Sequence, residues 1–178
     1  MIRHDQFTVL TNDPSMTAWG WAVLDHDANI IDCGCIKTAP EQKKRRIRAS
    51  DDRTRRTVEI TQELLRLIRK YNIKYILTES VHGSQNAQAA IMIGITTGVL
   101  TAISECLEIS LESYNEQDSK KCLLGKKSAT KADTVEAIDR LYDVPFTNIG
   151  YKDEAIADAI SVYHVAIRQS TVLRMMKK

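Results

Sequence analysis

The chain has 178 residues, 43% hydrophobic and 27% charged, which fits one globular domain over 1–178 and argues against a disordered or fibrous protein. No apolar run is expected to reach the roughly 20 residues of a membrane span, and the opening MIRHDQFTVL has neither the apolar core nor the cleavage site of a signal peptide, so a cytoplasmic protein without a membrane partner is expected. Formal net charge is +2, but residues 43–56 alone carry +6 and leave −4 on the rest; a basic segment on an acidic body favours a polyanion partner, and nucleic acid is the simplest.

In chain order, residues 7–12 read as a strand that ends on Asn12-Asp13 and turns through Pro14-Ser15. Residues 18–25 and 29–37 read as the next two strands of an antiparallel meander. A basic connecting segment, 39–56, follows. TVEITQELLRLIRKYN then reads as an amphipathic helix, with Val58, Thr61, Leu65 and Ile68 on one face and Ile60, Leu64 and Leu67 beside it. Residues 74–78 form a short buried strand reached by a helical crossover, which implies a parallel partner. Residues 85–107 read as a long apolar helix and 109–114 as a fifth strand. NEQDSKKCLLG fits a short helix closed by Gly125, and SATKADTVEAIDRLY a helix with Ser128 as N-cap. KDEAIADAISVYHVAIR reads as the last helix. Three meandering strands followed by alternating helix and strand make one mixed α/β domain. Cys33, Cys35, Cys106 and Cys122 are expected to be reduced thiols, not a zinc or disulfide set.

Isolated acids fall where these apolar elements terminate or pack. Asp13 ends the first strand, Glu79 ends the fourth, and Asp158 sits among alanines and isoleucines of the last helix, with Glu154 one turn earlier on the same face. An acid at the end of a buried strand needs something to offset its desolvation. Several gathered together need cations, and hard carboxylate oxygens suit Mg²⁺ or Mn²⁺. Such a quartet can hold two ions and drive in-line attack of water on a phosphodiester. Asn12, one residue before Asp13, should face the opposite side of the sheet and is not expected to be a ligand.

Read together, these stretches resemble the RuvC-type Holliday junction resolvases of the RNase H-like superfamily. The strand-turn Asp13-Pro14-Ser15-Met16-Thr17-Ala18-Trp19-Gly20 is similar to that family's D-P-G-S…T-G-(aromatic)-G; Glu79, Asn86, Ala87, Gly94 and Gly98 are similar to its I-E…N…A…L-G…G stretch; GKKSATK and DEAIADAISVYHVA resemble its Lys-containing and acidic helical segments. The resemblance implies an RNase H-like mixed five-stranded sheet, three antiparallel strands then parallel ones, flanked by helices. It implies a metal-dependent endodeoxyribonuclease, Mg²⁺ with Mn²⁺ substituting, that resolves four-way DNA junctions by paired nicks as a homodimer. Asp13, Glu79 and Asp158 would be metal ligands with Glu154 the fourth; Asp153, about 140° away on the helix, is expected to be an N-cap instead. Lys120 and Lys131 fall where lysines support phosphate binding and catalysis.

DNA contacts are expected from Lys43, Lys44, Arg45, Arg46, Arg48, Arg53, Arg55 and Arg56 of the basic segment, from Ser84, Asn86 and Gln88 at the start of the apolar helix, and from Lys126 and Lys127. His82 stands where the family often has an aromatic that stacks on a base; stacking, a loop role and general-base action all remain open. Ser15 replaces the family's usual Gly. A branched-DNA-binding protein with weak or no cleavage, and an RNase H-like nuclease acting on RNA or on flaps and forks, are the alternatives. A bacterial or a phage source fits equally.

Overall fold

The computed structural model describes residues 7–41, 47–80, 84 and 86–176. Strands β1 (Val9–Asp13), β2 (Ala18–Leu24) and β3 (Ile30–Lys37) form the expected meander, and β4 (Tyr75–Ser80) and β5 (Ser110–Asn115) extend it into one sheet of order β3-β2-β1-β4-β5. β1 pairs antiparallel with β2 and parallel with β4, and β5 is parallel to β4. Helices α1 (Ala49–Tyr71) and α2 (Ala87–Leu107) make the two crossovers; α3 (Glu116–Leu124), α4 (Lys131–Leu141), α5 (Gly150–Gln169) and α6 (Thr171–Met176) follow β5. All four cysteines are free, including Cys33 and Cys35, which lie two apart on one face of β3.

Strand alternation sorts the core into two halves. Leu10, Trp19, Trp21, Val23 and Ile76 point toward the α1 and α2 side, with Ile60, Leu64, Leu67 and Leu100. Val9, Ala22, Leu24, Tyr75 and Leu77 point the other way, onto Ile156, Ile160 and Tyr163 of α5. Period two then carries Asp13 and Glu79 onto the α5 side and Asn12 onto the opposite one. Asn12 is fully buried there; its Oδ1 accepts from Trp19 Nε1 at 3.0 Å and its Nδ2 donates to the Leu77 carbonyl at 3.1 Å.

Several expectations are corrected. α1 begins at Ala49, so the second half of the basic segment is helix, not connection. Its core face runs through Arg56, Ile60, Leu64, Leu67 and Ile68, whereas Val58 is 46% exposed: apolar residues cover more of α1 than its neighbours can bury. α4 is capped by Thr130, not Ser128, through a reciprocal box with Asp133. α5 starts at Gly150, so Asp153 lies inside its first turns and is no N-cap; its buried Oδ1 accepts from the Thr147 amide and hydroxyl, both at 2.8 Å, tying the preceding loop to the helix. α2 is 21 residues long, with a mean hydropathy of 1.7, long and apolar enough to cross a membrane by length and composition, contrary to expectation. It buries Thr96, Leu100, Ile103 and Ser104 in the domain, while Ala87, Ala90, Gly94, Gly98 and Ala102 are all exposed. Gly125 does close α3, at φ 73°.

At Gly20 the fold brings backbone against backbone. A methyl group on Gly20 would lie 1.9 Å from the carbonyl oxygen of Ala155 in α5. Gly20 is the partner of Asp13 in the β1–β2 ladder, so the absence of a side chain there lets α5 descend beside Asp13. Gly20→Ala is therefore expected to destabilise the fold by ~3 kcal/mol, since neither backbone can yield without moving a helix. Urea denaturation checks this, with Gly94→Ala, where an added methyl meets nothing, as the neutral comparison.

Candidate active site

Asp13 closes β1 and Glu79 nearly closes β4. The two strands are in parallel register up to Asn12 with Thr78, so the carboxylates leave the sheet side by side on the α5 face. α5 lies across that face and presents Asp158, its side chain 13% exposed, and Glu154 one turn earlier, 40% exposed. Lys131, first residue of α4, places its Nζ 3.6 Å from Glu154 Oε2 and 3.6 Å from Asp158 Oδ2.

The acids repel one another. Burial, then the Asp158 charge, push the Asp13 carboxyl up to about 7, against the pull of Lys131. Burial, then Asp13 and Asp158, push Glu79 up to about 9. Asp158 is raised chiefly by burial, with Lys131 and Lys120 opposing. Burial works against the Lys131 charge, but Asp158, Asp13 and Glu154 outweigh it and hold the ammonium protonated. One lysine against four acids leaves an excess of negative charge in a half-enclosed site. An all-oxygen donor set of this kind fits a hard divalent cation, although among the described residues no three carboxylates converge on one point as their side chains stand.

Glu116 belongs to this field and was missed in the sequence. It opens α3 directly after β5, raises Asp13, Glu79 and Asp158 alike, and pairs with Lys120 at 2.5 Å. The signal was present: an acid just past the end of a parallel strand adjoining β4. Lys120 thus lies near the cluster with its charge already partnered.

The expected DNA contacts divide. Lys43, Lys44, Arg45, Arg46 and His82 lie outside the described residues. Arg48 is well exposed beside Asp51, Lys126 and Lys127 are exposed on the α3–α4 connection, and Arg53 is half-buried. Arg55 is engaged by Asp52, Glu59 and the Ala39 carbonyl. Arg56 does not fit a phosphate contact: it is 4% exposed and bonded inside the protein. The Asn86 Oδ1 caps α2 through the amides of Gln88 and Ala89, and Ser84 Oγ accepts from the Asn86 amide; Gln88 is exposed.

A mixed sheet of this order, with acids at the ends of β1 and β4 and an acid-bearing helix laid over them, defines an RNase H-like nuclease domain. The sequence profile of the crossover junction endodeoxyribonuclease RuvC family matches residues 9–166, and the chain belongs to that family. Relatives carrying that name occur in Chlorobium phaeobacteroides, 26% identical over 76% of this chain and 70% of that protein, and in Ehrlichia canis, 25% identical over 85% and 93%. Among solved structures, Thermus thermophilus RuvC in complex with a Holliday junction substrate superposes with a TM-score of 0.70 at 15% identity, covering 96% of this chain and 97% of that one. The yeast mitochondrial Holliday junction resolvase Ydc2 gives 0.63 at 11% identity, covering 95% and 81%. At these identities the structures bear on the fold alone. The family implies dependence on a divalent metal ion.

The raised carboxyls predict a pH dependence with a definite sign. Between their ordinary values near 4 and their folded values of about 7 and about 9, Asp13 and Glu79 bind more protons folded than unfolded. Stability in EDTA should therefore fall as pH rises from 5 to 9 and level off above. Thermal melts across that range check it, and the Asp13→Asn, Glu79→Gln double variant should flatten the curve. Divalent-ion affinity should rise over the same window, since binding displaces the protons.

Proposed function

We propose that this chain resolves four-way DNA junctions by paired symmetric nicks, with Asp13, Glu79, Asp158 and Glu154 as the carboxylates that hold Mg²⁺, or Mn²⁺ in its place. The observation that carries this reading is the placement of Asp13, Glu79 and Asp158 at one end of the sheet beneath α5, where burial above all raises all three, in a chain of the RuvC family. When bound, the ion supplies a nucleophile from water at neutral pH and neutralises charge on the phosphodiester undergoing in-line attack. The chain's own groups do the rest. The carboxylates would hold the ion, and α5 keeps Asp158 against the sheet. The Lys131 ammonium lies where it can offset negative charge that builds on the phosphate. Lys126, Lys127, Arg48 and the basic run 43–46 provide sequence-independent attraction to backbone phosphates. The relatives' bacterial origin supports a role in a bacterial cytoplasm.

We further propose a homodimer, because two nicks related by a two-fold axis need two sites so related. The support is α2: its whole small-residue stripe, Ala87, Ala90, Gly94, Gly98 and Ala102, faces outward, and Ile91 beside it is 44% exposed. A second copy's α2 would cover that face with backbones in close approach.

The substrate test uses labelled four-way junction, linear duplex, fork and RNA hairpin, each with Mg²⁺, Mn²⁺ or EDTA. Symmetric junction nicks that require the ion are expected. Binding without nicks would favour a branched-DNA-binding protein, and preferential cutting of the fork or hairpin a different nuclease. Asp13→Asn should cut the rate by about 100-fold or more, the equivalent of several kcal/mol of transition-state stabilisation, while junction affinity in EDTA persists. Replacing Lys43, Lys44, Arg45 and Arg46 by Gln should lower the slope of log affinity on log salt by roughly 1 for each phosphate that is no longer neutralised. Light scattering should give twice the 20.1 kDa chain mass, and Gly94→Glu with Gly98→Glu should return it to one.

A further inference from the structure

Arg56 is a cation that the proposed chemistry leaves unused. It projects from the inner face of α1 into the core and is 4% exposed. Its Nε donates to Thr38 Oγ1 at 2.8 Å, and its Nη2 donates to the Met16 carbonyl at 2.8 Å and to Thr17 Oγ1 at 3.2 Å. The Thr38 hydroxyl, accepting from Arg56, donates in turn to the same Met16 carbonyl at 2.5 Å, and the Thr38 amide donates to the Thr17 carbonyl at 3.1 Å. Among the described residues no carboxylate pairs with Arg56. Its direct hydrogen bonds go to neutral oxygens, and burial works against its charge while Asp52 and Glu59 support it without pairing, which makes the position a costly one. What it gains is a planar fork that fixes two directions at once, which a lysine could not supply.

The grip falls on the turn that follows Asp13. Pro14 to Thr17 link β1 to β2, and nothing but Pro14 and Ser15 separates the Asp13 backbone from the doubly bonded Met16 carbonyl. The contact between Arg56 and the strand end that carries Asp13 runs through the backbone of this turn, by way of the Met16 carbonyl. One residue earlier on α1, Arg55 donates to the Ala39 carbonyl at 2.8 Å and Asp52 accepts from the Glu41 amide at 3.2 Å. The stretch from Thr38 to Glu41, where the chain leaves β3, is sewn to the same end of α1.

We infer that Arg56 is a positioning residue of the active site: through the Met16 carbonyl and the Thr38 hydroxyl it fixes the β1–β2 turn and so the placement of the Asp13 carboxylate. The inference rests on the reading of Asp13 as a metal-holding carboxylate. A shift of about 1 Å in such a group can cost on the order of 100-fold in rate.

The test compares full-length wild type with Arg56→Lys, which keeps the charge and loses the fork, and Thr38→Val, which removes the bridging hydroxyl alone. Four quantities are measured at a temperature where each variant is folded: single-turnover junction cleavage, the Mg²⁺ concentration giving half-maximal rate, the rise in melting temperature on adding Mg²⁺, and junction affinity in EDTA over a salt series. The expected result is a roughly 10- to 100-fold slower rate, a several-fold higher Mg²⁺ requirement and a smaller Mg²⁺-induced rise in melting temperature. Junction affinity and its salt slope should stay unchanged. An unaltered Mg²⁺ requirement and rate would overturn the inference and leave Arg56 a packing residue. Weaker junction affinity with a shallower salt slope would overturn it in favour of a phosphate contact. If wild type cleaves none of the nucleic acids offered, the junction-nuclease reading fails, and the Mg²⁺-induced melting shift still decides whether Arg56 serves Asp13. Should Arg56→Lys not fold, Thr38→Val carries the decision.

Discussion

The site depends on the approach of one helix to one strand across a residue that has no side chain. At Gly20 the backbone of α5 comes so near that even a methyl group would overlap the Ala155 carbonyl. Ala155 lies between Glu154 and Asp158, and Gly20 is the ladder partner of Asp13. A contact whose only virtue is closeness thereby sets the separation between the carboxylate of the strand and those of the helix. The apolar body of α5 then stabilises the arrangement. Ile156, Ile160 and Tyr163 are essentially fully buried against the sheet, each worth about 1.5–3 kcal/mol of transfer free energy. Burial on that scale can hold down one end of a helix carrying charges that repel the strands beneath it.

That repulsion is the second constraint. Lys131 touches both acids of α5, and Lys120 is drawn to Glu116, so two ammonium groups face five carboxyls. Burial first, and neighbouring acids after it, raise Asp13 and Glu79, while Asp158 is raised by burial against the pull of both lysines. A fold optimised for stability alone would pair or remove these acids; their retention here, at the open end of parallel strands, fits a site that trades stability for cation affinity.

α1 serves two surfaces at once. Its outer side carries exposed positive charge at Arg66 and Arg69, with exposed Arg48 just before it, while its inner side sends Arg56 under the turn after Asp13. Adjacent residues on a helix point about 100° apart, so Arg55 and Arg56 have separate fates, one tied to the chain leaving β3 and one to the β1–β2 turn. α2 is the reverse case. It buries a narrow stripe and leaves most of an apolar surface open, more than the domain itself can cover.

Much of this was legible in the chain. Alternation in the first three strands, the crossover before β4 and the 3.6-residue period of α1 follow from local patterning, because each element's neighbours in sequence already carry its periodicity. Asp13, Glu79 and Asp158 stood out since acids seldom end or interrupt apolar runs without cause. Where helices begin was less legible: α1 and α5 start earlier than their apolar periods, and Thr130 outcompetes Ser128 as a cap through its reciprocal bond with Asp133. Three matters only the tertiary structure decided. Charge in the basic segment says nothing of burial, and Arg56 is inside because a turn 40 residues away in sequence offers it a carbonyl. Glu116 joins the cluster because β5 lies beside β4. The small residues of α2 face outward because the sheet takes its Thr96, Leu100 and Ile103 edge instead. Sequence determines which residues can bear charge or pack closely; contact between distant segments determines which of them meet, since those distances are set by packing and not by spacing along the chain.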